Sequence, residues 1–175
     1  MSTETVYFGM GCFWGAEKKM WQIAGVVATE VGYQGGHSNN PTYREVCSGT
    51  TGHAEIVKVE YDTAVVSLWQ LLGVFWENHD PTQGNRQGND IGTQYRSAVY
   101  WTSEAQERDI RLSAQLYQGL LDQAGYGKIT TEFASAENKP FWSAEESHQK
   151  YLKKNPFGYD CHASSGIALP ARPAE

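Results

Sequence analysis

The apolar triplet Val6-Tyr7-Phe8, ahead of a Gly-rich turn, predicts a short buried strand, and residues 14–22 behind it predict a helix that ends at Gly25. A second strand follows at about 26–31. Gly32, Gly35, Gly36, Asn39, Asn40 and Pro41 then break any regular pattern as far as Gly52, a loop of about twenty residues, and loops of that length in small domains are usually functional. From 54 to 61 the alternation sets Val57, Val59 and Tyr61 on one face and Lys58 and Glu60 on the other, the pattern of a half-buried strand. Glu55 falls on the apolar face.

Leu68, Leu71, Leu72, Phe75 and Trp76 recur at helical spacing, with Ser67 as N-cap and Pro81 past the end, so this helix packs on a sheet. A second polar, Gly-rich loop runs from about 79 to 94, and 97–101 reads as a strand. Ser103 and Gln106 form a capping box for a helix with the stripe Ile110, Ala114, Tyr117 and Leu121, closed by Gly125. Residues 129–133 predict the last strand. Ser143 with Glu146 predicts a further capped helix to about Lys154, stopped by Pro156, and 156–175 read as a mobile tail. The order predicts an α+β fold, a two-layer sandwich of helices on a mixed sheet with a split βαβ (ferredoxin-like) core. Its 175 residues suit a single domain.

Composition narrows the function. Lys and Arg number 14 against 20 Asp and Glu, with no basic run, which argues against a nucleic-acid partner. The N-terminus lacks a basic and then apolar leader, and no apolar run approaches the roughly 20 residues that cross a bilayer. A cytoplasmic protein, away from membranes and monomeric, is expected. Three cysteines, Cys12, Cys47 and Cys161, are too few and too scattered for a secreted disulfide framework, and fit reduced or cycling thiols. The five histidines show no ligand spacing, so no metal is expected.

Cys12 sits between the first strand and helix, where helix N–H groups would favour a thiolate below the usual pKa of about 8.5. Taken without its flanks, a lone cysteine reads equally as a small buried hydrophobe. Phe13 and Trp14 read either as a wall for a thioether methyl or as first-turn core packing. Glu55, on an apolar face, is a candidate general acid with a raised pKa, unless the strand start frays into solvent. Tyr43, Tyr95 and Asp90 lie in the two irregular loops, where the phenols could donate to a polar oxygen, or pack, while Asp90 caps a turn. Cys161 is a candidate resolving thiol that attacks oxidised Cys12 to form a disulfide. Cys47 reads as a bystander.

The motifs Gly11-Cys12-Phe13-Trp14-Gly15, Asn40-Pro41-Thr42-Tyr43-Arg44-Glu45-Val46-Cys47-Ser48-Gly49 with Gly52-His53-Ala54-Glu55, and Phe75-Trp76-Glu77-Asn78-His79-Asp80-Pro81 with Gln87-Gly88-Asn89-Asp90-Ile91-Gly92-Thr93-Gln94-Tyr95 resemble the peptide methionine sulfoxide reductase A family. The resemblance spans about Val6 to Cys161. It implies that Cys12 is the nucleophile, Glu55 the acid that protonates the sulfoxide oxygen, and Tyr43, Asp90 and Tyr95 its polar partners, with Phe13 and Trp14 holding the substrate methyl. It also implies action on the S epimer of methionine sulfoxide, free or in oxidised proteins and peptides. Thioredoxin or another dithiol would serve as external reductant, with no bound cofactor and one recycling cysteine, Cys161. Two other readings compete: a cysteine hydrolase or peroxidase, which wants a His base beside Cys12, and a module that binds oxidised methionine without turnover.

Overall fold

The computed structural model describes residues 2–160 and 163–174. Strand β1 (Thr3–Met10) leads into helix α1 (Phe13–Trp21), then β2 (Val26–Gln34), the short helix α2 (Tyr43–Cys47), β3 (Ala54–Asp62) and α3 (Leu68–Glu77). A small hairpin, β4 (Arg86–Gln87) with β5 (Asp90–Ile91), and a single 3-10 turn (Thr93–Tyr95) precede β6 (Ser97–Trp101), α4 (Glu104–Gln123), β7 (Glu132–Ser135), β8 (Trp142–Ser143) and α5 (Tyr151–Lys154).

The main sheet runs β7-β6-β1-β3-β2-β8. Within it β6, β1, β3 and β2 are mutually antiparallel neighbours, the split βαβ arrangement, and β7 joins β6 in parallel through the α4 crossover. The fold is therefore α+β with a mixed sheet, as the pattern predicts. One face carries Val6, Phe8, Val31, Val57, Val59 and Val99 against the helices, where Phe8 stacks on Phe75 and Trp76 on Tyr117. The buried Trp76 indole donates to Ser113 Oγ at 2.9 Å, which removes the penalty of an orphaned donor. The opposite face, with Ala54, Ile56, Ala98 and Tyr100, is covered by Tyr7 and Phe141. Phe141 passes so close that a Cβ on Gly32 would stand 2.4 Å from its ring.

Several local expectations change. The long loop contains α2, capped reciprocally by Thr42 and Glu45. The Ser103 hydroxyl accepts from Gln106 N, but the Gln106 amide turns away to Thr102 N, Thr5 O and Tyr61 OH, so only half of that capping box forms. The strand predicted as last is β7, followed by β8, and it starts at Glu132 because Ile129 N is taken by Gln118 Oε1 and Thr130 N by Pro81 O. Ser143 belongs to β8 and donates to Glu30, leaving Lys150, at φ 51°, to start α5. Residues 163–174, predicted as part of a mobile tail, have specific partners on α3 and α4. Trp69 Nε1 donates to Pro170 O, Leu169 N to Glu77 Oε2, Tyr117 OH to Ile167 O, and Arg172 pairs with Asp109. Among the described residues no helix is long and apolar enough to cross a membrane.

The stretch from β8 to α5 is fastened to β2 and α1, and this brings distant side chains to the site. The Gln149 amide pairs with Val31 N and O, as a strand would. Glu17 of α1, fully buried, takes Lys150 Nζ at 2.8 Å, Lys150 N at 2.8 Å and Thr29 Oγ1 at 2.8 Å. Lys150→Ala strands that carboxylate, and the expected cost is about 3 kcal/mol, the lower end for an uncompensated buried charge. A urea unfolding curve checks it.

Candidate active site

Strand β1 ends at Met10, and Gly11, at φ +92°, turns the chain so that Cys12 stands at the N-cap of α1. A side chain at Gly11 would meet Gln87 at 2.8 Å. Gln87 is itself locked by paired bonds to Asp80 N and O. The Cys12 sulfur is therefore held in a fixed, nearly closed place, 6% exposed.

Glu55 is the second residue of β3, opposite Tyr33 of β2, and shares the face of Val57 and Val59. That register aims it under the start of α1, where Oε1 accepts from Phe13 N at 3.0 Å. It is 1% exposed. Burial raises its pKa from 4.5 to about 8, against the pull of the Phe13 N–H and with a further push from Asp90. At neutral pH the carboxyl therefore keeps its proton.

The thiol itself corrects an expectation. Burial, and then the charge of Glu55, push the Cys12 pKa far up, and the N–H groups of Trp14 and Gly15 pull it down too little to compensate. A helix N-terminus favours an anion, but removing the sulfur from water costs more. Thiol and carboxyl are thus both protonated at rest.

Tyr43 opens α2, Tyr95 ends the 3-10 turn and Asp90 lies on β5, and the sheet brings these loop residues to the same spot. Both phenols are pushed far up, first by burial and next by the charge of Glu55. Asp90 acts electrostatically on Cys12, Glu55 and Tyr95. Its Oδ1 accepts from Tyr159 OH at 2.8 Å, while Oδ2 is buried with no hydrogen-bond partner among the described residues. Cys47, at the end of α2, is exposed as a residue, and partial desolvation of its sulfur raises its pKa while the nearby Tyr43 hydroxyl lowers it. Cys161 lies outside the described residues.

Phe13 and Trp14 stand beside an aromatic group that the sequence reading did not include. Phe13 faces Tyr33, Tyr43 and His148, and Trp14 stacks on Tyr151 at 3.9 Å between ring centroids. The Trp14 indole donates to His148 Nδ1 at 3.0 Å, which leaves the ring proton on Nε2. Burial lowers the His148 pKa, so the ring is neutral. Burial alone would raise Glu145, but bonds from Tyr43 N, its own N–H and Tyr33 OH hold it below the usual carboxylate range. Glu145 thereby ties α2 and β2 to the segment that carries His148. Periodicity could not show these partners, which lie more than one hundred residues away in the chain.

After burial, the influences on Cys12 are the Glu55 and Asp90 carboxyls and helix N–H groups, and not the imidazole base that a hydrolase needs. Among the described residues no group of three or more His, Cys, Asp or Glu is placed to hold a metal. Fold and site together set a buried thiol, a buried carboxyl and a group of aromatic rings at the head of one helix. The family model described as peptide methionine sulfoxide reductase matches residues 4–172. "Peptide methionine sulfoxide reductase MsrA 1" of Synechocystis is 58% identical over 95% of this chain and 74% of its own. Methionine sulfoxide reductase A of Corynebacterium diphtheriae superposes with a TM-score of 0.87 at 49% identity, covering 96% of this chain and 83% of that one. Reduced Mxr1 of Saccharomyces cerevisiae gives 0.81 at 35%, covering 93% and 92%. The chain belongs to the peptide methionine sulfoxide reductase family, A type. It is an oxidoreductase that returns methionine sulfoxide to methionine, a repair of oxidised protein.

Proposed function

We propose that this chain reduces the S epimer of methionine sulfoxide, free and in proteins, by direct oxygen transfer to Cys12. The observation that carries the reading is that Glu55, protonated near neutral pH, shares the head of α1 with the thiol. Glu55 gives its proton to the sulfoxide oxygen, which gains charge as the S–O bond weakens, and Tyr43 and Tyr95 donate to the same oxygen. The carboxylate so formed takes the proton of the Cys12 thiol as its sulfur attacks the sulfoxide sulfur, and the S–S bond made in that attack breaks again as the oxygen passes to Cys12. The S–O bond to the substrate breaks, methionine leaves, and Cys12 keeps the oxygen as a sulfenic acid, with Glu55 reprotonated. Protons balance without an external acid. Phe13 and Trp14 receive the methyl group, since sulfur and methyl contacts with rings are favourable, and Asp90 faces the polar end of the substrate.

Cys161 then attacks the Cys12 sulfenic acid to form a disulfide, and a thioredoxin-type dithiol reduces it. Yeast Mxr1 has been solved in complex with Trx2, which supports such a reductant here. The test is single turnover on a peptide carrying either sulfoxide epimer, without reductant. One equivalent of methionine from the S epimer and none from the R epimer is expected, and reduction of both at similar rates would remove the stereochemical reading.

A further inference from the structure

Tyr159 is absent from the machinery just described, yet its hydroxyl is seated on the Asp90 carboxylate at 2.8 Å. Asp90 pairs across the β4–β5 hairpin with Gln87, which packs on Gly11 next to Cys12, so this contact brings the C-terminal segment to the edge of the catalytic pair. We propose that Tyr159 is a positioning residue for recycling: seated on Asp90, it holds the segment that carries Cys161 within reach of oxidised Cys12. The inference rests on the reading of Cys161 as the recycling thiol.

The large apolar side chains just after α5 stand largely in solvent. Phe157 is fully exposed and Tyr159 is 47% exposed. The hold is polar and local. After α5 the chain turns back through Gly158 N, which donates to Asn155 O, and a side chain at Gly158 would meet the Tyr151 ring at 2.9 Å. That turn delivers Tyr159 to the β4–β5 hairpin. Further along, Ser164 Oγ donates to Glu77 O at 2.9 Å, so the chain is fastened again on α3. Cys161 is covalently two residues from Tyr159, a span of at most about 7 Å, and a disulfide needs Cα atoms within about 7 Å. The seat therefore limits how far the recycling thiol can lie from Asp90, which raises its effective concentration at Cys12.

The division of labour on Asp90 agrees with this. Oδ1 takes the tail hydroxyl, while Oδ2, buried and without a hydrogen-bond partner among the described residues, faces away from it. In the step itself the Cys161 sulfur attacks the Cys12 sulfenic sulfur, the S–O bond breaks as the S–S bond forms, and the hydroxyl leaves with the thiol proton as water. The sulfoxide has already supplied the oxidising equivalents.

Tyr159→Phe removes the hydroxyl and keeps the ring. After one equivalent of sulfoxide peptide without reductant, the methionine burst should match the wild type within about twofold. The Cys12–Cys161 disulfide, followed by quench and mass mapping, should form about tenfold more slowly, the scale of one hydrogen bond to a charged acceptor. Turnover with thioredoxin falls accordingly at unchanged KM for sulfoxide. Disulfide formation at the wild-type rate overturns the proposal, as does a burst that slows in parallel, which would place Tyr159 in the oxygen-transfer step. If wild-type protein forms methionine but never the Cys12–Cys161 disulfide, the recycling reading falls and takes the latch with it.

Discussion

Cys12→Ser is expected to release no methionine above background from a sulfoxide peptide, a loss of more than about 10⁴-fold in the single-turnover rate constant. A serine oxygen cannot accept the sulfoxide oxygen as a stable product, and its hydroxyl is a far weaker nucleophile in a site that already resists charge. The exchange is small and the residue sits at an N-cap, where serine is a preferred type, so folding should survive. Circular dichroism and an unchanged urea midpoint separate a dead nucleophile from a lost fold. Residual activity within about tenfold of wild type would transfer the chemistry to another group.

Glu55→Gln is expected to slow oxygen transfer by about 10²-fold or more, the usual share of a positioned general acid. The amide can still accept from Phe13 N, so the loss reports the proton and not the geometry. The pH profile gives a second readout. Wild-type rates should be level below the Glu55 pKa of about 8 and fall as pH rises through it, because the active form carries the proton. The variant should lack that limb.

Stability moves with the same group. The folded pKa lies above the ordinary 4.5, so between about 4.5 and about 8 the native state keeps a proton that the unfolded chain has lost. The contribution is fully present below about 4.5 and disappears as pH rises through about 8. Between pH 4.5 and pH values above 8 the wild type should therefore lose on the order of a few kcal/mol relative to the variant, read from urea midpoints at the two pH values. Equal pH dependence of the two proteins would mean that Glu55 is not desolvated as described.

Much of the scaffold is legible because it depends on local periodicity. The apolar stripe of α3, with its Ser67 cap, appears where the spacing of Leu68, Leu71, Leu72 and Phe75 puts it, and β6 spans the predicted residues. Glu55 stands out in the sequence because an acidic residue on an apolar face has few innocent explanations, and β3 does bury it. What escaped depends on tertiary contact. Nothing in the spacing of Ser143 shows that a neighbouring strand edge will claim it, and nothing near Trp14 shows that His148 will accept its indole N–H. The Thr42 and Glu45 pair did signal α2, but the Gly and Asn residues and Pro41 ahead of it dominated the reading. The thiol shows the limit most plainly: the helix dipole is visible in sequence order, whereas the desolvation that outweighs it is a property of the packed core.

The central claim is that the sulfoxide oxygen passes to the Cys12 sulfur. A sulfoxide peptide labelled with heavy oxygen, mixed in single turnover with Cys161→Ser protein and mapped at once by mass spectrometry, tests it directly. The label should appear on the peptide that contains Cys12, in step with methionine release. Methionine formed with the label in water or on Cys47, and none on Cys12, would contradict the account.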